Sequence, residues 1–359
     1  MAGISTPRPC GDYRTSYKSD MTIFPTRVSR NVAIFGVLLL ALFPLVNNIA
    51  PFIANDYHLS LMIQIGYYSI AAIGLNILVG FTGQISLGHG AFFGFGAIFS
   101  AYLNETTGIP VFFTIPLAGV ATAAVGLLFG IPAARIKGLY LAIATLASQF
   151  ILEDFYARAD WFSGGSSGIA ANYVNILGLE LDDDKKYYYL VLFWLVIALI
   201  AGANLIRSRD GRALVAVRDH YLSAEVMGIN LTKYRILSFG ISSAFAGVGG
   251  ALYGHYLGYV SAEGFTLLVS ISFLAMIIIG GLGSIMGSVL GAIFITLLPE
   301  TMEVLATVAL PESIADGKAY VKEMSVGAAI ILFLIFEPEG LAHRWKLIKA
   351  YWKLYPFSY

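Results

Sequence analysis

Apolar runs of membrane length dominate this sequence. A helix that crosses a bilayer needs about 20 mostly apolar residues, and about ten candidate stretches follow one another, at roughly 32–54, 59–79, 85–103, 110–131, 138–157, 188–206, 236–258, 265–282, 284–305 and 322–338. The chain is 58% hydrophobic and only 12% charged, with a mean hydropathy of +0.76. A soluble domain carries about twice that charge. The predicted fold class is all-α: a polytopic membrane helix bundle of about ten transmembrane helices. The first run is longer than a signal-peptide core and is read as a retained helix.

Lysine and arginine set the expected orientation. Basic residues gather in the N-terminal tail, at Arg135 and Lys137, between Arg207 and Arg235, and at Arg344, Lys346, Lys349 and Lys353. The loop 159–187 instead carries Asp160, Glu180, Asp182, Asp183 and Asp184. An even number of spans puts every basic cluster inside and the acidic loop outside. The predicted organisation is a polar cytoplasmic tail over 1–30, a transmembrane domain over 31–338 and a basic cytoplasmic tail over 339–359. Within the domain lie a cytoplasmic loop at 208–236 and an external loop at 159–187.

Several chemistries lack their sequence apparatus. The net charge is zero, so no bulk basicity points to nucleic acid. The single cysteine, Cys10, excludes an internal disulfide, and no Cys/His zinc spacing occurs. There is no phosphate-binding GxxxxGK[ST] loop, so nucleotide hydrolysis by that route is not expected on this chain. No Asp, Glu, Lys or Arg sits in the middle of an apolar run. Intramembrane carboxylates are the usual equipment of ion-driven carriers, so the chain is expected to take its energy from elsewhere or to act passively.

Glycine recurs at spacing four in Gly250, Gly254 and Gly258 and in Gly283, Gly287 and Gly291. That spacing stacks small residues on one helix face and predicts close helix packing. The stretch GFTGQISLGHGAFFGFGA at 80–97 is different. Its six glycines are too dense for packing alone, and Gln84, Ser86 and His89 bring polar groups to membrane depth. Irregular backbone is tolerated there only inside protein or along a wet cavity. The expectation is a broken entry to the third helix, with Gly83, Gln84, Ser86, Gly88, His89 and Gly90 as candidates for a translocation pathway or its gate. A purely structural histidine at position 89 is the competing reading.

The segment 208–236 is predicted to hold an amphipathic helix. Leu214, Val217, Tyr221 and Ala224 fall on one apolar face, and Gly228 suits the turn after its end. Arg212, Arg218, Asp219 and Glu225 fall largely elsewhere. Mixed charge on the polar face suits a protein groove better than a lipid surface.

Four motifs in order, GQISLGHGAFFGFGA, KGLYLAIATLASQF, GRALVAVRDHYLSAEVMGIN and MIIIGGLGSIMGSVLGA, resemble the LivM-type permease subunits of bacterial branched-chain amino acid ABC transporters. The resemblance implies a multi-pass protein of the bacterial inner membrane. Its implied partners are a second homologous permease subunit, two cytosolic ABC ATPase subunits and a periplasmic solute-binding protein, besides the lipid bilayer. ATP and Mg would belong to the ATPases, with no cofactor on this chain. Residues Arg212, Leu214, Val217, Arg218, Asp219, Tyr221, Glu225 and Gly228 would form the ATPase-coupling element. Importers of this kind often carry E-A-A-x-x-x-G in that loop. Here Ala224 and Gly228 fit, but Leu222 and Ser223 stand where Glu and Ala are expected. An ion-coupled secondary transporter, a passive channel and a membrane scaffold are the alternatives.

Overall fold

Every apolar run of the sequence has a helix in its place. The computed structural model describes residues 27–49, 56–136, 138–172, 175–176, 179–180, 183–309, 317–337 and 339–354. Its helices are α1 (Arg27–Ile49), α2 (Asp56–Asn76), α3 (His89–Thr107), α4 (Val111–Ala133), α5 (Leu139–Arg158), α6 (Asp160–Ser163), α7 (Asp184–Arg207), α8 (Arg209–Asp219), α9 (Tyr221–Val226), α10 (Leu231–Leu257), α11 (Leu267–Gly280), α12 (Ile285–Ala309), α13 (Gly317–Phe336) and α14 (Leu341–Leu354). Most of the tail 1–30, including Cys10, lies outside the described residues, as does Lys137.

Among the described residues six segments are long and apolar enough to cross a membrane: Asp56–Phe81, Val111–Ala133, Asp184–Arg207, Leu231–Leu257, Ala262–Gly280 and Ile285–Glu303. Shorter apolar helices lie at Arg30–Pro44 and Gly327–Phe336. The chain is an all-α, multi-pass membrane bundle.

Small residues decide which helix sits in the centre. α10 packs against α2, α3 and α4. A Cβ on Gly250 would come within 1.9 Å of the Phe93 carbonyl oxygen, and one on Gly249 within 2.8 Å of the Tyr67 carbonyl oxygen. Backbones approach this closely only where side chains are missing, and the reward is dispersion contact along the whole seam. α11 and α12 meet the same way: a Cβ on Gly291 would lie 1.7 Å from the Met276 carbonyl oxygen.

The bundle has two distinct ends. At one, Arg218 reaches Gly80 and Gly283, Arg235 Nη1 donates to the Ala134 carbonyl (3.1 Å), and Gly281 lies against Ala342. At the other, Tyr57 donates to Glu300, and β1 (Ile169–Ala170) pairs antiparallel with β4 (Tyr259–Val260) in register Ile169↔Val260 and Ala170↔Tyr259. A second antiparallel pair, β2 (Asn175–Ile176) with β3 (Leu179–Glu180), lies in the acidic loop. The basic segments around Arg135, from Arg207 to Arg235 and at Arg344 thus collect at one end and the acidic loop at the other.

Candidate functional site

One helix begins inside the bundle rather than at its surface. α2 runs on into a π-helical turn, Ile77–Phe81, after which the backbone from 83 to 88 is not helical. Gly83 sits at φ 70°, which only glycine adopts without strain. α3 then starts at His89, whose Nε2 donates to the carbonyl of Ala71, well along α2 (2.9 Å). Beside it, α11 starts only at Leu267, after irregular backbone around a 3₁₀ turn at Ala262–Gly264.

A helix start leaves its first N–H groups without intrahelical partners, and none can stay bare in a membrane. Side chains meet that demand here. Gly90 N donates to Ser270 Oγ (2.7 Å) and Ala91 N to Gln149 Oε1 (2.9 Å). Ser270 Oγ donates to the same Gln149 Oε1 (2.9 Å), while Gln149 Nε2 donates to the Phe265 carbonyl (2.7 Å). Gln149 and Ser270 are fully buried. This node ties α3, α5 and α11 together, and a Cβ on Gly90 would press on Ser270 Oγ at 2.8 Å.

The expected pathway residues are placed as follows. Gln84, Ser86 and His89 are all buried. Gln84 Nε2 donates to Ser238 Oγ (2.6 Å), and its Oε1 is buried without a hydrogen bond. Ser86 Oγ accepts from Gly88 N (3.4 Å). A Cβ on Gly88 would meet the Thr145 carbonyl oxygen at 2.5 Å. The trio lies inside the bundle, along the broken stretch.

A cleft lies elsewhere. It holds about 280 Å³ between α2, α11 and α12. Gln64, Tyr68, Ser272, Thr296 and Glu300 bring polar groups to it, against Phe273, Met276 and Ile295. Thr296 Oγ1 is buried there without a hydrogen-bond partner. Sequence reading missed this cleft because its residues come from three helices far apart in the chain.

The segment 208–236 departs from expectation in two ways. It is not one helix: His220, at φ −151° and ψ 82°, breaks it into α8 and α9. Ser208 caps α8, its Oγ accepting from Gly211 N (3.1 Å), and Gly228 follows α9 at φ 85° as the expected turn residue. The predicted apolar docking face is also turned inward. Leu214, Val217 and Ala224 are buried against the chain's own bundle, and only Tyr221 of the four is exposed. The outward apolar residues are Leu222, Val226 and Met227, the last two more than 80% exposed. The protein consumed the amphipathic face for its own packing, since burying it at home needs no partner.

Arg218 links this segment to the broken helix. Its Nη1 donates to the Gly80 carbonyl (2.5 Å) and its Nε to Asp219 Oδ1 (2.8 Å). The same guanidinium stem lies against Gly83 and Gly283. Asn76 completes the joint. Its Nδ2 donates to the Ser284 carbonyl (2.9 Å) and Ser288 Oγ (2.8 Å), and its Oδ1 accepts from Gly283 N (2.9 Å). Arg212 Nη1 donates to the Arg207 carbonyl (2.8 Å) and, with Arg209 and Lys233, lines a second cleft of about 410 Å³. Glu225 is exposed on α9.

The glycine rows divide. Gly250, Gly254, Gly287 and Gly291 sit at close helix contacts as expected. Gly258 and Gly283 do not: they stand beyond helix ends at φ 72° and 74° and serve turns. Spacing four continued past the end of each helix and did not mark where the helix stopped.

Residues 57–335 match the family described as branched-chain amino acid transport system / permease component. The high-affinity branched-chain amino acid transport system permease protein LivM of Salmonella typhimurium is 30% identical over 315 residues, 81% of this chain and 71% of that protein. LivM of Escherichia coli K12 is 31% identical over 298 residues, 76% of this chain and 67% of that one. A weaker likeness, 23% over 305 residues, joins the chain to the permease protein LivH of Salmonella typhimurium, covering 77% of this chain and 91% of LivH. No solved structure matches. This chain belongs to the family of permease components of branched-chain amino acid transport systems.

Proposed function

We propose that this chain is the membrane-spanning subunit of an ATP-driven ABC importer in the bacterial inner membrane, translocating branched-chain or related amino acids delivered by a periplasmic binding protein. It works beside a second, homologous permease and two cytosolic ATPases, which hold the ATP and Mg; the chain itself carries no cofactor. It crosses the membrane ten times, with both termini and the Arg218 end of the bundle in the cytosol. The observation that carries this reading is the family match over 57–335. Likeness to both LivM and LivH supports a paired permease, because two permeases of similar sequence suit one pseudo-symmetric channel.

The geometry supplies a route for the work. Leu222, Val226 and Met227 form the apolar knuckle an ATPase would grip. Movement there passes through Arg218 to Gly80, Gly83 and Gly283, where α2 ends and α12 begins. Those turns are the flexible ends of rigid helices, the usual place for a two-state bundle to hinge. The cleft between α2, α11 and α12 is one wall of the solute route, completed by the second permease. Its mixture of apolar wall, hydroxyls and the Glu300 carboxylate suits a small amphipathic solute bearing an ammonium group. Co-reconstitution of the chain with both ATPases, the second permease and the binding protein tests this. ATP-dependent leucine uptake that vanishes when this chain is left out is the expected result; uptake unchanged by its omission refutes it.

A further inference from the structure

Among the described residues, nothing in the bundle covers one face of the helix α14. Its sequence, LAHRWKLIKAYWKL, holds Arg344, Lys346, Lys349 and Lys353 and no acidic residue. Leu341, Trp345 and Ile348 follow i, i+4, i+7 and share one face, while Lys346 and Lys349 flank it on another. Among the described residues the first turn carries the anchor. Leu341 packs on the core, Ala342 is buried, and Gly340 at φ 74° lets the chain pass so close to Gly281 that a Cβ would lie 2.6 Å from the Gly281 Cα. Beyond that turn Trp345 is 64%, Ile348 51% and Tyr351 65% exposed.

The position of that anchor decides what the helix meets. Gly281 directly follows the apolar span Ala262–Gly280, and α13 ends at Phe336, so α14 starts at the depth where two apolar helices stop. A helix leaving that level has the headgroup layer beside it. Tryptophan and tyrosine favour that layer; Glu337 and Glu339 pair with Arg344 and His343 at the start of the helix, and the cations beyond them, Lys346 and Lys349, favour anionic headgroups. We infer that α14 lies in the plane of the membrane surface and binds anionic phospholipid headgroups through Lys346 and Lys349, with Trp345 and Ile348 dipped into the acyl boundary. This rests only on the chain crossing a bilayer and stands apart from the importer reading.

The test uses the full chain with Cys10→Ser and Ile348→Cys, spin-labelled at the new thiol and placed in vesicles of phosphatidylglycerol mixed with phosphatidylcholine. Collision with oxygen and with a water-soluble nickel chelate reads the depth of the label. The expected label lies about 5–10 Å below the headgroups. Adding Lys346→Gln and Lys349→Gln, or using phosphatidylcholine alone, lowers the buried-to-free ratio about tenfold or more. A label open to nickel in the anionic vesicles overturns the proposal. So does a depth that ignores both the lysine changes and the lipid charge. Burial that appears only when ATPase or second-permease chains are added overturns it too, because the face would then belong to a protein.

Discussion

Arg218 Nη1 donates to the carbonyl of Gly80, 138 residues away, and so bonds the segment 208–236 to the turn where α2 gives way to the broken entry of α3. The contact uses the one side chain suited to it. A planar guanidinium holds a carbonyl and a carboxylate together, here Gly80 and Asp219, whereas an ammonium acts as a point charge. Hydrogen bonds from charged groups are worth about 1.5–3 kcal/mol.

Arg218→Gln should therefore leave the chain inserted and assembled but lower ATP-coupled uptake about tenfold or more. Arg218→Lys should recover little of it. The comparison to make is ATPase rate with and without loaded binding protein, beside uptake. Equal stimulation in wild type and both variants would remove Arg218 from the transmission route.

Thr296 separates structure from transport. Its hydroxyl is buried in the cleft without a partner, which stabilises nothing. Thr296→Val should keep or raise thermal stability in detergent, by about 1 kcal/mol, and still slow leucine uptake by the assembled complex. Unchanged uptake would take the cleft off the solute's path.

Asn76 is a structural demand. Asn76→Asp keeps the oxygen that accepts from Gly283 N but removes the donors to Ser284 and Ser288 and adds a buried charge. Asn76→Leu orphans the Gly283 N–H, at about 1–3 kcal/mol. Both should lower the unfolding temperature in detergent.

The helix seams predict a graded series. Gly250→Ala and Gly291→Ala place a methyl on a carbonyl oxygen at 1.9 and 1.7 Å and should each cost about 1–3 kcal/mol of stability. Gly327→Ala, with nothing within 4 Å, is the control and should be neutral in the same thermal assay.

The exposed knuckle predicts a loss of assembly alone. Val226→Asp with Met227→Asp should leave the chain folded and abolish co-purification with the ATPases. Leu214→Asp, at a fully buried position, should prevent folding.

The apolar helices were legible because length and apolarity are local properties of a run, and six of them are long enough to span among the described residues. The broken entry of α3 was legible too, since six glycines within 80–97 leave a continuous helix little reason to form. The break at His220 was hidden: the apolar residues keep helical spacing across it, and a single backbone conformation ends α8. Gln149 and Ser270 escaped notice for another reason. Each is one of a few scattered polar residues in an apolar run, and their use appears only when positions 121 residues apart meet around the start of α3. The inward turn of Leu214, Val217 and Ala224 was hidden because periodicity tells which residues share a side but not what that side covers.

The most direct trial of the account is transport by purified components. In proteoliposomes holding this chain alone, no solute should accumulate against its gradient, with or without ATP or an ion gradient. Adding the second permease, both ATPases and loaded binding protein should produce ATP-dependent leucine uptake. Uphill accumulation by the solitary chain would contradict the claim that its energy arrives from partner subunits through Arg218.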